Sequence, residues 1–269
     1  MIIEKSTFKH LAQLCRISYL NNTTIKQCFI NRSFKTDYQV LENCKEIPEL
    51  YSRERDSQMC ICKYNNKLTI AFRGTNSYRD IFVNLYFIRK PMYLKNIEES
   101  KFPLVHNGFY NQFLELKPDI DKILETYTGK DVYITGHSLG GSLATIACLN
   151  YQMEYPDKNF YCVTFGSPRV GDYYFSKYFN ENIKYCYRFV NDNDPIPCLP
   201  SAWNYRHVKG CIWLFEDEIK NEIRVWRSWR FIKNYVKSFF GYGYNAIKDH
   251  SCKGYADDID IILKEKHYF

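Results

Sequence analysis

Long apolar runs are missing from this sequence of 269 residues. The longest one extends only from Cys211 to Phe215, whereas a helix that spans a bilayer needs about 20 predominantly apolar residues. The first residues, MIIEKSTFKH, carry Glu4, Lys5 and Lys9 where a secretory signal needs an apolar centre. We therefore expect neither a transmembrane segment nor a signal peptide, and we predict a cytoplasmic location.

Internal repeats, low-complexity tracts and linkers rich in Pro, Gly or Ser are also missing. Since single α/β domains of about 250 residues are common, we expect one domain over residues 1–269. The 45% hydrophobic and 25% charged fractions are those of a globular protein and exclude a disordered or collagen-like chain. The 17% aromatic fraction indicates a well-packed interior.

The cysteines show no paired spacing. Their number, 11, is odd, and they are scattered through predicted strands and helices. Free buried thiols are therefore expected rather than a disulfide framework. The pair Cys60 and Cys62 looks like half of a zinc site, but no partner cluster exists elsewhere in the sequence. We expect neither a metal nor a cofactor.

Strand-like and helical segments alternate along the chain. Two runs of alternating apolar letters flank Asn65 and Asn66, which is a hairpin signal. A first helix is predicted with Ser6 or Thr7 as its N-cap. The predicted elements are a helix over 6–20, strands over 59–64, 67–72, 132–135, 160–165 and 185–190, and a helix over 139–151. This alternation predicts an α/β fold with a mostly parallel central sheet and helices on both faces.

The sharpest local signal is the pattern G-x-S-x-G at Gly136, Ser138 and Gly140. A β-branched and aromatic run ends at Gly136 and a helix of small residues begins after Ser138, which is the strand-turn-helix context of a nucleophile elbow. Such a sharp turn exposes the serine hydroxyl, and the flanking glycines let neighbouring backbone approach. The free N–H groups at the start of the helix can bind a developing oxyanion. These features predict a serine nucleophile at Ser138.

A serine nucleophile needs a histidine base, which comes last in the chain order of this type of site. The histidines after Ser138 are His207, His250 and His267. His207 lies in a predicted strand, and His267 lies where a chain end frays. His250 lies in a loop before a final helix, and loops often carry catalytic side chains. We therefore favour His250, with His207 as the alternative.

Two carboxylates are candidates for the acid that orients the base. The predicted strand over 185–190 runs into a polar turn that holds Asp192 and Asp194 and is stopped by Pro195 and Pro197. Either carboxylate can reach the imidazole from this turn. An Asp before Pro is also a common turn former without any catalytic role, so the pattern by itself leaves both residues open.

Several blocks in one order make the sequence similar to the fungal-type class 3 lipases, triacylglycerol lipases of the α/β-hydrolase superfamily. The resemblance extends from about residue 59 to residue 255. The blocks are IAFRGT (70–75), VHNGF (105–109), TGHSLGG (135–141), VTFGSPRVGD (163–172), RFVN (188–191), DPIP (194–197), LP (199–200), YRH (205–207) and DH (249–250). The resemblance implies the α/β-hydrolase fold for this chain.

The same resemblance implies roles for individual residues. Ser138 is implied as the nucleophile, Asp194 as the acid and His250 as the base. The backbone N–H groups of Thr75 and Leu139 are implied as the oxyanion hole, where losing one donor typically costs about 3 kcal/mol of transition-state stabilisation.

The segment that follows Thr75 resembles the lid of the family. Ile81, Phe82 and Leu85 lie on one apolar stripe of a predicted helix within residues 76–88. A lid that hides this stripe in water and opens at a lipid surface would contact substrate. A permanently packed helix is the alternative.

Basic residues are prominent in a predicted helical insert over about residues 216–246, which has no counterpart in the family, and the whole chain carries a net charge of +7. Within it, residues 223–240 place Arg and Lys on one helical stripe and Trp, Phe, Ile and Val on another. This pattern is typical of a helix that lies on a membrane surface. A helix whose Trp face packs on the domain is the alternative, and nucleic acid binding is not favoured.

Together these features predict a serine hydrolase that cleaves carboxylic esters of lipids, such as acylglycerols or phospholipids, through an acyl-enzyme. The expected partner is a lipid or ester substrate, with peripheral contact at membranes or lipid droplets through residues 223–240. Two other classes share some of these features: a serine acyltransferase or protease, and a catalytically silent membrane-bound scaffold. A substrate panel separates the first from an esterase, and labelling by a fluorophosphonate separates the second.

Overall fold

The computed structural model describes residues 3–19, 45–46, 59–64, 67–75, 88–191, 194–215, 218–221 and 249–265. The strands in these residues are β1 (Lys45–Glu46), β2 (Met59–Tyr64), β3 (Lys67–Phe72), β4 (Arg89–Pro91), β5 (Leu104–His106), β6 (Asp131–His137), β7 (Asn159–Phe165), β8 (Tyr185–Asn191), β9 (Cys211–Phe215) and β10 (Glu218–Asn221). The α-helices are α1 (Lys5–Ile17), α2 (Asn107–Thr126), α3 (Leu139–Glu154), α4 (Tyr173–Asn182) and α5 (Cys252–Glu265). The predicted alternation of strands and helices is confirmed.

One sheet with the strand order β1-β2-β3-β6-β7-β8-β9-β10 forms the centre of the fold. The five strands from β3 to β9 run parallel, and antiparallel strands extend the sheet at both edges. The hairpin predicted from the two alternating runs is present as β2 and β3. This mostly parallel sheet confirms the predicted α/β-hydrolase fold class.

Alternate side chains of the central strands enter two separate cores. Val132 and Ile134 of β6 join a core that includes side chains of α2, α3 and α4. Tyr133, between them, joins a second core that includes side chains of α1 and α5. Since successive side chains of a strand point to opposite faces, the sheet is covered by helices on both faces. The carboxyl ends of the parallel strands therefore lie between two helical layers, where α/β proteins build their sites.

The first helix begins at Lys5, earlier than predicted, with Glu4 as its N-cap and no side-chain cap bond. The prediction of a cap at Ser6 or Thr7 is wrong, because Thr7 is buried on the core side of the helix. The predicted helical insert also begins differently: Glu218–Asn221 pairs antiparallel with β9 as an edge strand. Residues 223–240 lie outside the described residues.

The nine cysteines within the described ranges are all free thiols, as predicted for them. Burial raises the pKa of the Cys15 thiol to about 12, which keeps it protonated and unreactive at neutral pH. Among the helices that the structure describes, none is both long and apolar enough to cross a bilayer.

Candidate active site

The turn between β6 and α3 holds Ser138 in a backbone conformation that is rare for a side-chain-bearing residue. Its φ is 57° and its ψ is −127°. Such strain costs on the order of 1 to 3 kcal/mol and persists only where surrounding contacts enforce it. Here the Ser138 N–H donates to the Phe165 carbonyl oxygen at 2.9 Å, and the Ser138 carbonyl oxygen accepts from Gly141 N–H at 3.0 Å. The predicted elbow context is therefore present at Ser138.

The glycines of G-x-S-x-G are needed because backbones come close on both sides of the elbow. A Cβ atom at Gly136 would collide with the backbone of Gly140 and lie 2.7 Å from Gly141 N. A Cβ atom at Gly140 would collide with the carbonyl oxygen of Phe72 and lie 2.9 Å from Arg73 C. The end of β3 therefore passes directly against the start of α3.

Three polar side chains from separate parts of the chain meet at the elbow. His250 Nε2 lies 2.8 Å from Ser138 Oγ, and His250 Nδ1 lies 2.8 Å from Asp194 Oδ2. Since an ionised carboxylate only accepts, Nδ1–H donates to Asp194 and leaves Nε2 to accept the proton of Ser138. All three side chains are buried. This is the geometry of a nucleophile, a base and an orienting acid.

The Asp194 carboxylate has donors on both oxygens. Besides His250, the Tyr255 hydroxyl donates to Oδ2 at 2.5 Å, and the Ile196 N–H donates to Oδ1 at 2.9 Å. The Tyr255 oxygen itself accepts from Asn191 N–H at 2.8 Å. These bonds fix the carboxylate so that it faces the imidazole. Tyr255 was not among the sequence-predicted site residues.

Gly166 makes room for the pair of Asp194 and His250. Its φ is +60°, and a Cβ atom there would lie 2.7 Å from Asp194 Oδ2 and 3.0 Å from His250 Nδ1. This glycine follows β7, so the carboxyl end of a third central strand contributes to the site. Sequence reasoning missed it as a site residue, although it lies inside one of the matching blocks.

The other predicted candidates lie elsewhere. His207 Nε2 bonds the Pro197 carbonyl oxygen at 2.5 Å, and its own carbonyl oxygen accepts from Ser176 Oγ at 2.8 Å. His207 therefore has a structural role, and the strand predicted around it begins only at Cys211. Asp192 and His267 lie outside the described residues.

The predicted oxyanion donors lie beside the elbow. Leu139 is the first residue of α3, where backbone N–H groups have no partner within the helix. Thr75 is half-buried and lies three residues beyond the end of β3, which contacts Gly140. The predicted lid residues Ile81, Phe82 and Leu85 lie outside the described residues, so their role stays a prediction.

A second buried imidazole, His137, packs against His250. The ring centroids of His137 and His250 are 4.7 Å apart, and His137 Nε2 lies 2.7 Å from the His250 carbonyl oxygen. Burial, reinforced by the neighbouring His250, holds the pKa of His137 well below its ordinary value. His137 is therefore neutral, and its single proton is on Nε2, where it donates to that carbonyl oxygen.

Comparison with known families places the chain among the lipases. The sequence profile of the family described as Lipase (class 3) matches residues 69–203, which is half of the chain. This range includes Ser138, Asp194, Thr75 and Leu139, whereas His250 follows it. The protein belongs to the class 3 lipase family.

Individual relatives agree with this assignment. A lipase of Rhizomucor miehei is 31% identical over 173 residues, covering 60% of this chain and 46% of the relative. Secreted mono- and diacylglycerol lipase 1 of Fusarium solani is 34% identical over 170 residues, covering 59% and 49% respectively. The solved Rhizomucor miehei triacylglyceride lipase shares the fold with a TM-score of 0.63 at 23% identity, covering 78% of this chain and 79% of that one. The chain spans about half the length of these curated relatives.

The predicted cytoplasmic location is wrong. It depended on the polar first residues of the chain, whereas the similar protein of Fusarium solani is a secreted lipase. The matched relatives are about twice as long as the part that aligns with this chain. The polar residues at positions 1–10 are therefore no evidence against secretion.

Proposed function

We propose that the protein is a serine hydrolase that cleaves carboxylic esters of lipids through an acyl-enzyme. The observation that carries this proposal is the hydrogen-bonded series from Ser138 Oγ through His250 to Asp194, with both bonds at 2.8 Å. Membership of the class 3 lipase family supports it. Acylglycerols are the favoured substrates, and phospholipids belong to the same ester class.

In the first half of the reaction, Ser138 Oγ attacks the ester carbonyl carbon and its proton passes to His250 Nε2. The backbone N–H groups of Leu139 and Thr75 stabilise the negative oxygen of the tetrahedral intermediate. Its collapse breaks the bond to the alcohol, which takes the proton from His250. In the second half, water loses a proton to His250, attacks the acyl group and regenerates Ser138. Asp194 keeps the imidazole in the required tautomer throughout.

An exposed group of aromatic and apolar side chains favours a lipid surface as the source of substrate. Its members are Trp203, 91% exposed, with Tyr173, Ile88 and Tyr174. We call this group the aromatic rim. Large apolar side chains that stay exposed on neighbouring segments are typical of a binding surface, and Trp and Tyr are well suited to the boundary between water and lipid.

Hydrogen bonds hold the segments of the aromatic rim together. The guanidinium group of Arg89, beside Ile88, donates to the Asn204 carbonyl oxygen at 3.1 Å. The backbone N–H of Arg206 donates to the Gly171 carbonyl oxygen at 2.8 Å. The segments around Gly171 and Asn204 follow the carboxyl ends of β7 and β8. Ser138 lies at the same ends of the parallel strands. The two guanidinium groups add positive charge that suits an anionic lipid surface.

Substrate panels test the proposed function. We expect hydrolysis of an emulsified acylglycerol and of short soluble esters, with burst kinetics that reveal an acyl-enzyme. Cleavage of peptide bonds alone, or acyl transfer to alcohols without hydrolysis, would instead support the protease or acyltransferase alternative. No turnover of any of these substrates by a folded protein would support the scaffold alternative.

Replacing Trp203 by alanine tests the lipid surface. Loss of one large buried apolar side chain at an interface costs about 2 kcal/mol, so we expect binding to anionic phospholipid vesicles to weaken by about tenfold or more. Activity on emulsified acylglycerol should fall by about tenfold more than activity on a soluble ester. Tyr155→Ala is the control, because Tyr155 follows the far end of α3, away from the strand ends at which Ser138 lies. Equal vesicle binding by the two variants would contradict a role for the rim.

A further inference from the structure

The side chain of Tyr19 links helix α1 to the elbow. Tyr19 comes just after α1, and its N–H donates to the Arg16 carbonyl oxygen at 3.3 Å. Its hydroxyl oxygen lies 2.8 Å from His137 Nδ1. Because neutral His137 uses its proton on Nε2 to bond the His250 carbonyl oxygen, Nδ1 has a lone pair and accepts from the Tyr19 hydroxyl. Tyr19 therefore donates to His137, and His137 in turn donates to the His250 carbonyl oxygen.

The same hydroxyl packs against the backbone that leads to the oxyanion hole. A Cβ atom at Gly74 would collide with the Tyr19 hydroxyl oxygen and would lie 2.6 Å from the His137 carbonyl oxygen. Gly74 directly precedes Thr75, whose N–H is the proposed oxyanion donor. The Tyr19 hydroxyl and the His137 backbone thus lie close against one side of this segment.

The series therefore joins two groups that act on the same transition state. One end contacts the segment of the oxyanion donor, and the other end bonds the main chain of the base. The ring of His137 also packs on the ring of His250 and contacts Tyr255, with centroids 5.7 Å apart, edge to face. A displacement of about 1 Å of a catalytic group can cost on the order of a hundredfold in rate, so such bonds matter for turnover.

We propose that Tyr19 and His137 are positioning residues. They hold the segment at Gly74, which leads to the oxyanion donor of Thr75, in a fixed position relative to the main chain of His250. This proposal rests on the proposed function. Tyr19 lies outside the residues matched by the family profile, so the turn that follows the leading helix α1 would contribute to catalysis. Neither residue touches the reacting atoms in this account; each acts through a neighbour.

The test compares Tyr19→Phe with Tyr127→Phe on a short soluble ester. Like the Tyr19 hydroxyl, the Tyr127 hydroxyl is hydrogen-bonded: it accepts from Leu68 N–H at 3.1 Å and donates to the Asp131 carbonyl oxygen at 2.9 Å. It differs in position, because it lies where β3 and β6 begin, at the ends of these strands away from Ser138. We expect Tyr19→Phe to lower kcat between about tenfold and about a hundredfold, with KM within about twofold of the parent, because oxyanion and base contacts act mainly in the transition state. Tyr127→Phe should lower the melting temperature similarly and leave kcat within about twofold.

A second pair of variants separates positioning from packing. His137→Gln keeps an amide that can donate to the His250 carbonyl oxygen and accept from Tyr19, whereas His137→Leu keeps only bulk. The glutamine variant should retain at least about tenfold more kcat than the leucine variant. Equal kcat values for these two, or equal kcat values for the two tyrosine variants, would overturn the inference. The proposed function fails on a different result, namely unchanged turnover when Ser138 is replaced by alanine.

Discussion

Turnover of an ester by Ser138→Ala is expected to be about a millionfold lower than by the parent protein. The change removes the only atom that forms a bond to the acyl group, while His250 and the backbone N–H groups remain. Only the residual effect of binding and of the oxyanion hole would be left. The measurement is kcat on a soluble ester, with the circular dichroism spectrum as a check of folding.

Ser142→Ala is the matched control for this change. Ser142 lies in the first turn of α3, four residues after Ser138, and is also fully buried, so its substitution removes an equivalent hydroxyl oxygen. We expect its kcat to stay within about threefold of the parent, because Ser142 is one helical turn from the reacting hydroxyl. A Ser138→Ala protein that keeps more than about one thousandth of the parent activity would contradict the assignment of the nucleophile.

Replacing His250 by alanine should lower turnover by a similar factor, about a millionfold. The change removes the imidazole nitrogen 2.8 Å from Ser138 Oγ that accepts its proton and protonates the leaving alcohol. His207→Ala provides the comparison, since it removes an imidazole that bonds the Pro197 carbonyl oxygen. We expect the His207 variant to be less stable, by about 1 kcal/mol, and to keep its activity within about tenfold.

The opposite pattern would reassign the base. If His207→Ala lost activity while remaining folded and His250→Ala kept it, the hydrogen bond between His250 and Ser138 would have no catalytic meaning. The resemblance to class 3 lipases would then have been carried over to the wrong histidine. Thermal melting of both variants separates this result from simple unfolding.

The fold and the elbow were predictable because their causes are local in the sequence. The strand before Gly136, the small-residue helix after Ser138 and the two glycines together specify one turn, and each glycine meets neighbouring backbone in the structure. The alternation of strands and helices specified a parallel sheet in the same way. The N-cap of α1 was misplaced because the burial of Thr7 depends on the second core, which no local pattern contains.

The partners of the site were harder to predict because they depend on contacts between distant parts of the chain. The pattern alone left Asp192 and Asp194 open, and only the family resemblance favoured Asp194. Tyr255 lies on the last helix, and nothing in its neighbours indicates that its hydroxyl reaches Asp194 at 2.5 Å. Gly166 is one glycine of 12 in the sequence, and the lack of room for a Cβ atom there appears only when Asp194 and His250 lie opposite.

His137 shows the same limit. It precedes Ser138, whereas the base of this type of site comes last in the chain order, and this order says nothing of a bond from the His137 ring to the His250 main chain at 2.7 Å. Tyr19 lies 118 positions from His137 along the chain, in a region where the family resemblance is weak. Residues of this kind are found from coordinates, because their role is defined by what they touch.

Labelling by a fluorophosphonate probe, with the modified peptide located by mass spectrometry, tests the central claim most directly. The probe reacts only with a serine whose hydroxyl has been activated by a neighbouring base. We predict one adduct on Ser138 of the parent protein, no adduct on Ser138→Ala, strongly slowed labelling of His250→Ala and normal labelling of His207→Ala. A folded parent protein that is not labelled, or that is labelled at another residue, would contradict the account.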